Sequence, residues 1–339
     1  MKDKTARREA PWFHAGKTKG NRMIIACGEA LIDMVPAALE RGEGFLPIPG
    51  GSPCNTAAAA GRLGAPVAFL GRLSTDFFGA LLVSHLEKNG VNTDLVVRSA
   101  ENSTLAFVRL EKGKEPQYVF YTEGAADRSF SQEDLPPALP GGTDCVFFGS
   151  IAMTMEPVAS TIEKLIRREN SNPGGPVISF DPNVRPFMIR DREAYVRRFE
   201  GWAASAHIAK ISTADFDFIY PGLGLEKSLE KILSMGPRLA VTTLGKEGAM
   251  ALLQRKGGPL RVRAPVVDLP VADTIGAGDT FHGAFLSWLH FNGKMSREAL
   301  ADLSEKELYD ALYFANRAAS IVCSRRGAEP PTRAEVEAL

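Results

Sequence analysis

The chain has 339 residues, 45% of them apolar, and its 40 Lys plus Arg balance its 40 Asp plus Glu. That length suits one large α/β domain with a small accessory element. The charge balance gives no global reason to expect nucleic-acid or membrane partners, and no run of 18 apolar residues reads as a membrane span.

Residues 1–22 are polar and basic, with Lys2, Lys4, Arg7, Arg8, Lys17, Lys19 and Arg22 against Asp3 and Glu9. They lack the apolar stretch of a secretory leader and read as a flexible basic extension. Residues 23–27 follow as a buried first strand ending at Gly28, and 31–35 turn toward a second layer. Gly50-Gly51-Ser52-Pro53-Cys54-Asn55 is a turn that opens an alanine-rich helix over 56–63, stopped by Gly64 and Pro66. Its small residues allow it to lie close to a sheet. Residues 67–70 are the next strand, and a helix over about 77–89 ends at Gly90.

The character then changes. Residues 104–110 and 117–121 are strand-like and flank a polar turn, the pattern of a hairpin. It reads as part of a small sheet beside the main one, suited to act as a lid over a polar ligand. From Cys145 onward the units alternate as βαβ. Strands are expected at 146–148, 177–180, 207–210, 239–243 and 249–253, and helices over 156–168, 191–202, about 277–290 and 305–323. Residues from about 23 to 335 form one open α/β unit without an internal repeat. Cys27, Cys54, Cys145 and Cys323 are too widely spaced for a zinc site or a redox pair. Reduced, buried thiols and a cytoplasmic setting fit that usage.

The chemistry concentrates in Asp273-Thr274-Ile275-Gly276-Ala277-Gly278-Asp279, just before a helix-like run. Gly276 and Gly278 permit a tight turn with N–H groups open to an anion. Asp279 falls in the first helical turn, where a carboxylate can take a proton from a hydroxyl while the helix N-terminus cradles phosphate. Other polar residues fall at strand ends, where ligands of open α/β sheets collect. These are Asp33, Asn55, Asp181, Asn183 and Arg185. Each also has a structural reading: turn cap for Asp33, helix cap for Asn55, turn chemistry for Asp181-Pro182-Asn183, a surface ion pair for Arg185, a helix-start carboxylate for Asp279. Thr243-Leu244-Gly245-Lys246-Glu247-Gly248 is a glycine-bearing loop after a strand, whereas no P-loop or dinucleotide-binding glycine pattern is present. The histidines show no metal spacing. His282 lies three residues after Asp279 and reads as a packed structural residue.

Together these segments resemble the ribokinase-like, or PfkB-type, carbohydrate kinases, over about 23–332. The carriers are the 273–279 turn, Gly50-Gly51-Ser52-Pro53-Cys54-Asn55-Thr56-Ala57, and Gly71-Arg72-Leu73-Ser74-Thr75-Asp76-Phe77-Phe78-Gly79. Within the family the chain looks most like the fructokinases. Gly28-Glu29-Ala30-Leu31-Ile32-Asp33-Met34-Val35-Pro36, Thr104-Leu105-Ala106-Phe107-Val108 and Asp181-Pro182-Asn183-Val184-Arg185-Pro186 carry this closer likeness.

The resemblance implies a ribokinase-like three-layer α/β/α sandwich over 23–339, with a small β-sheet lid contributed by about 33–50 and 98–125. It implies ATP- and Mg2+-dependent phosphorylation of a sugar hydroxymethyl group, D-fructose to fructose 6-phosphate. Asp279 then matches the general base, and Gly276, Ala277 and Gly278 the hole around the transferred phosphoryl group. Asp33, Gly51, Asn55, Phe107 and Arg185 match the sugar side. Thr243, Gly245, Gly248, Gly276 and Gly278 match the nucleotide side, with Asn316 near the adenine. Asp273, Ile275 and Gly327 match a potassium shell. A homodimer joined through lid strands is a further expectation.

Two departures stand out. Ser212-Thr213-Ala214-Asp215 occupies the place of the family's Asn-x-x-Glu, and Thr122-Glu123 follows Tyr121 where fructokinases often carry arginine. The nearest rival is therefore a 2-keto-3-deoxygluconate kinase, in which Arg109 or Arg185 would meet the substrate carboxylate. Another sugar or nucleoside kinase, or a catalytically silent sugar or nucleotide sensor, are the further alternatives.

Overall fold

The structure, a computed structural model, describes residues 22–39, 42–109, 117–325 and 327–339. The expected extension over 1–22 lies outside these residues except for Arg22, whose guanidinium stands 3.5 Å from Asp144. The polar turn over 111–116 also lies outside them.

The chain opens with β1 (Met23–Cys27), then crosses to a second sheet as β2 (Leu31–Leu39) and β3 (Gly42–Gly50). It returns through α1 (Ser52–Arg62), β4 (Val67–Ser74), α2 (Phe77–Lys88), β5 (Val91–Asn92) and β6 (Val96–Ser99). The second sheet is completed by β7 (Leu105–Arg109) and β8 (Gln117–Tyr121). The remainder alternates: β9 (Thr143–Gly149), α3 (Val158–Asn170), β10 (Val177–Asp181), α4 (Arg192–Ala204), β11 (Ile208–Lys210), α5 (Thr213–Ile219), α6 (Leu225–Met235) and β12 (Leu239–Thr243). An antiparallel pair follows, β13 (Ala249–Leu253) and β14 (Leu260–Ala264), before α7 (Ala277–Phe291), α8 (Arg297–Ala301), α9 (Glu305–Cys323) and α10 (Arg333–Ala338).

The large sheet has the order β14-β13-β12-β11-β10-β9-β1-β4-β5, with β6 also beside β4. Its strands from β12 to β5 run parallel. Both faces are covered, as a parallel sheet requires. Alternate residues of one strand therefore feed two cores. Ile24 and Ala26 of β1 pack with residues of α1, α7 and α9, while Ile25 and Cys27 pack with those of α3, α4 and α6. This is the three-layer α/β/α sandwich, accompanied by the separate sheet β3-β2-β7-β8.

Two refinements concern that second sheet and α1. The small sheet begins at Leu31, and residues 96–99 belong to the main sheet because β6 pairs with β4. The alanines of α1 serve a helix as well as the sheet. A Cβ on Gly283 of α7 would stand 2.7 Å from Thr56 O and 2.9 Å from Ala59 Cβ. Small residues on both sides thus let α1 and α7 cross closely, which brings their N-termini together. The sequence reading missed β5, β6, β14, α5, α6, α8 and α10. β14 illustrates why: it is an edge strand with Arg261 and Arg263 outward, so only Val262 and Ala264 supply a buried apolar signal.

Candidate active site

The C-terminal ends of β10 and β11 and the N-termini of α1 and α7 meet at one place. Gly276 precedes α7 with φ 73°, and a Cβ there would stand 2.6 Å from Ala328 Cβ. Glycine is needed at this position for both backbone and space. Gly278 differs. It lies inside α7 and is absent from the positive-φ residues, so the turn does not demand it. No side chain caps α7; Ala277 N–H turns back to Thr274 O at 3.2 Å, which leaves the Gly278 and Asp279 amides to meet an anion.

Asp279 is buried in that first turn. Its Oδ1 accepts the Ser52 hydroxyl at 2.6 Å and its Oδ2 accepts the Asn55 amide at 2.9 Å. Asn183 Nδ2 adds a longer contact at 3.4 Å. Burial pushes the Asp279 carboxyl above the usual carboxylate range, the Ser52 and Asn55 hydrogen bonds oppose this, and the nearby Asp181 charge reinforces it.

Behind Asp279 lies a buried ionic group. Lys210 Nζ donates to Asp181 Oδ2 at 2.7 Å, and His282 Nδ1 stands 3.6 Å from the same oxygen. Burial, the largest single influence, would raise the Asp181 pKa, but the Lys210 charge and the contacts to His282 and Lys210 together outweigh it and hold it at about 2. His282 is neutral, its pKa lowered by burial, and its Nε2 meets Ser179 Oγ at 2.8 Å.

Asp33 stands near enough to Asp279 and Arg185 for their charges to act on it. Burial, opposed by Arg185 and reinforced by Asp279, raises its carboxyl to about 6. A Cβ on Gly50 would stand 2.2 Å from Asp33 Oδ2, so Gly50 leaves room for that carboxylate. Gly51 caps α1 with φ 96° and would meet Glu29 O at 2.9 Å if it carried a Cβ. Arg185 folds back, donating through Nη1 to Asn183 Oδ1 at 2.7 Å and to the main chain of Asn183 and Val184.

Phe107 stands away from Asp33, and Asn316 is tied to the main chain after β14. Asp33 pairs with Ala106, and Met34 with Phe107. Side chains alternate across a sheet, so Phe107 faces away from Asp33. It packs instead against Phe45 and Tyr121, with ring centroids 5.1 and 5.6 Å apart. Asn316 is buried, and its amide donates to Ala264 O at 2.9 Å and Pro265 O at 3.0 Å. Those two bonds hold the main chain beyond β14.

The remaining expected residues are distributed as follows. Thr243 ends β12, which runs parallel to β11, so it shares the sheet edge of Asp181 and Lys210. Gly245 and Gly248 have φ 57° and 89° and close a tight loop through Leu244 N–H to Gly248 O. Asp273 does meet Ile275 and Gly327: its oxygens accept their N–H groups at 3.0 and 3.1 Å. Asp215 offers magnesium little. Its Oδ1 accepts Val184 N–H, and its Oδ2 accepts both N–H and O–H of Ser212. Among the described residues no cluster of three or more His, Cys, Asp or Glu could hold a metal.

Ser52, Lys210 and Glu29 were not singled out from the sequence. Ser52 had a signal, since Ser52 and Asn55 are three apart and share a helix side. Lys210 had one too, as a polar residue at a strand end. Glu29 accepts Ser52 N–H at 3.2 Å and Ala152 N–H at 3.1 Å, and burial pushes its carboxyl up to about 8. Only the fold reveals that contact.

Residues 21–335 match the pfkB family carbohydrate kinase profile. The chain belongs to this family. It is a carbohydrate kinase with a buried acid in the first turn of a helix. The chain is 37% identical over 293 residues to a fructokinase of Rhizobium leguminosarum bv. trifolii, covering 84% of this kinase and 85% of that protein. Its fold is similar to a fructokinase with bound ATP from Xylella fastidiosa, with TM-score 0.84, 28% identity and coverage of 94% and 98%. A fructokinase from Vibrio cholerae O395 in a fructose-, ADP- and calcium-bound form gives TM-score 0.78, 25% identity and coverage of 94% and 98%. Among the described residues no helix is long and apolar enough to cross a membrane.

Proposed function

We propose that this kinase transfers the γ-phosphoryl group of ATP to the 6-hydroxyl of D-fructose, with Asp279 as general base. The observation that carries the reading is the Asp279 carboxylate, buried in the first turn of an uncapped helix and fixed by Ser52 and Asn55. The sugar hydroxyl gives its proton to Asp279 as its oxygen bonds to phosphorus, and the bond from phosphorus to the ADP oxygen breaks. The first-turn amides after Gly276 stabilise charge on the phosphoryl oxygens. Asp33 and Asn55 orient the sugar, and the glycine loop after Thr243 borders the nucleotide. The small sheet acts as the lid that excludes water.

Magnesium accompanies the nucleotide and neutralises phosphate charge when bound. With Asp215 spent on hydrogen bonds, the ion would rely largely on water or weakly specified acidic ligands. Potassium, held by Asp273 and main-chain oxygens near Ile275 and Gly327, would steady the turn. The outer face of the small sheet exposes Phe45, Val119 and Tyr121, a patch suited to a homodimer. Sedimentation of Val119→Lys against the parent tests this: an unchanged mass overturns it. Cys27, Cys54 and Cys145 are buried free thiols, which supports a reducing, cytoplasmic setting.

A carboxylated sugar fits less well. Asp33 and Asp279 place two acids in the cleft, and Arg185 is engaged by Asn183. A sensor has no use for a buried base at this cost in burial. ADP release should be measured with fructose, 2-keto-3-deoxygluconate, ribose and nucleosides, with magnesium and potassium present. Strong preference for fructose supports the proposal. Preference for the carboxylated sugar moves it to that rival, and sugar binding without turnover makes the protein a sensor.

A further inference from the structure

We infer that Lys210 is a further catalytic residue, whose ammonium group contacts the phosphoryl group during transfer. The inference rests on the kinase reading of the Asp279 site. Lys210 ends β11, and its side chain is only 5% exposed. It is the one lysine among the buried charged residues described. A lysine so enclosed is costly to bury, and an apolar pair in place of Lys210 and Asp181 would serve stability as well or better. Its charge is secure: burial opposes the charged form, but Asp181 and Asp215 raise the Lys210 pKa overall.

Gly278 supplies the second observation. Its backbone is helical, so glycine is not required by conformation. A Cβ at Gly278 would stand 3.2 Å from Lys210 Nζ. The missing side chain therefore leaves the ammonium beside the first turn of α7, next to the Gly278 and Asp279 amides that Thr274 O leaves free to meet an anion. The ammonium carries three donors. One is held by Asp181 at 2.7 Å, which points the group without consuming it. As phosphorus moves between the two oxygens, the other donors stabilise charge on its equatorial oxygens. Lys210 keeps its proton throughout. The sugar proton still goes to Asp279, and the electron pair of the broken bond leaves with ADP.

The test compares the parent with Lys210→Met, Lys210→Arg and the double variant Lys210→Met/Asp181→Asn. The readouts are kcat, fructose KM, thermal midpoint and sugar-independent ATP hydrolysis. Lys210→Met should lower kcat by about 10²-fold or more, on the scale of a lost transition-state donor, with fructose KM changed less than about threefold. Lys210→Arg should retain more turnover than Lys210→Met. The double variant should recover thermal stability, because no buried carboxylate is left unpaired, yet stay as slow as Lys210→Met. Recovery of kcat together with stability would show that Lys210 only neutralises Asp181, and would overturn the inference. So would a Lys210→Met kcat equal to the parent's. ATP hydrolysis separates the two readings. A parent inactive on fructose overturns the substrate assignment alone, while Lys210→Met must still slow transfer to water; unchanged hydrolysis overturns the role of Lys210.

Discussion

Replacing Asp279 with Asn removes the proton acceptor while preserving its shape. The two short hydrogen bonds to this carboxylate, from Ser52 at 2.6 Å and Asn55 at 2.9 Å, can both survive, and only the longer Asn183 contact at 3.4 Å is lost. The new amide oxygen faces the Asn55 donor, and the new NH2 faces Ser52, whose hydroxyl can rotate to accept. Packing therefore changes little, and the loss falls on chemistry. A general base contributes about 10²–10⁴-fold, equal to about 2.7–5.5 kcal/mol in the barrier. Fructose KM should move by less than about tenfold, because Asn still hydrogen-bonds a hydroxyl. Stability should move the other way. Burial raises the folded-state pKa of Asp279 above its unfolded value. At neutral pH the ionised group thus costs stability, and D279N should melt at a higher temperature than the parent. That advantage should shrink below the unfolded carboxyl pKa, about 4, where the parent is protonated in both states. A coupled ADP-release assay and thermal unfolding at pH 7.5 measure both effects. Turnover within tenfold of the parent, with ATP binding intact, would refute the base assignment. A lower melting temperature would refute the electrostatic account.

Gly276→Ala forces a side chain into φ 73° with its Cβ 2.6 Å from Ala328 Cβ. It should cost at least about 1–2 kcal/mol from the left-handed backbone alone, seen as a lower urea midpoint, together with reduced kcat. The Asp33 carboxyl titrates at about 6, so parent fructose KM should rise as pH falls through 6. Asp33→Asn should weaken fructose binding by about 10–100-fold, the loss of a charged hydrogen bond, and show no such pH dependence; a parallel profile in both proteins would contradict this. Glu29, at about 8 when folded, is an acid with a raised pKa. Its stabilising contribution is present below about pH 4 and is lost as pH rises through 8. By urea unfolding, the stability lost between pH 5 and pH 8 should differ between the parent and Glu29→Gln by up to a few kcal/mol, with the parent losing more. Equal losses would remove Glu29 from that role.

Local patterns specified much of this protein. The runs 239–243 and 249–253 matched β12 and β13, and 305–323 matched α9. Strand length, glycine stops and helical period are all written within a few residues. The Gly276 turn and Asp279 were legible for the same reason: the turn, the helix start and the acid are neighbours in the chain. Tertiary structure decided what surrounds them. Ser52 reaches Asp279 across 227 positions, because Gly283 and the alanines of α1 permit a close helix crossing. Lys210 meets Asp181 because β10 and β11 are adjacent in the sheet. Phe107 lies on the wrong face because its pairing with Met34 sets it one residue out of phase with Asp33. A period-two strand shows that its residues alternate, but only its register against a neighbour says which half looks into the cleft.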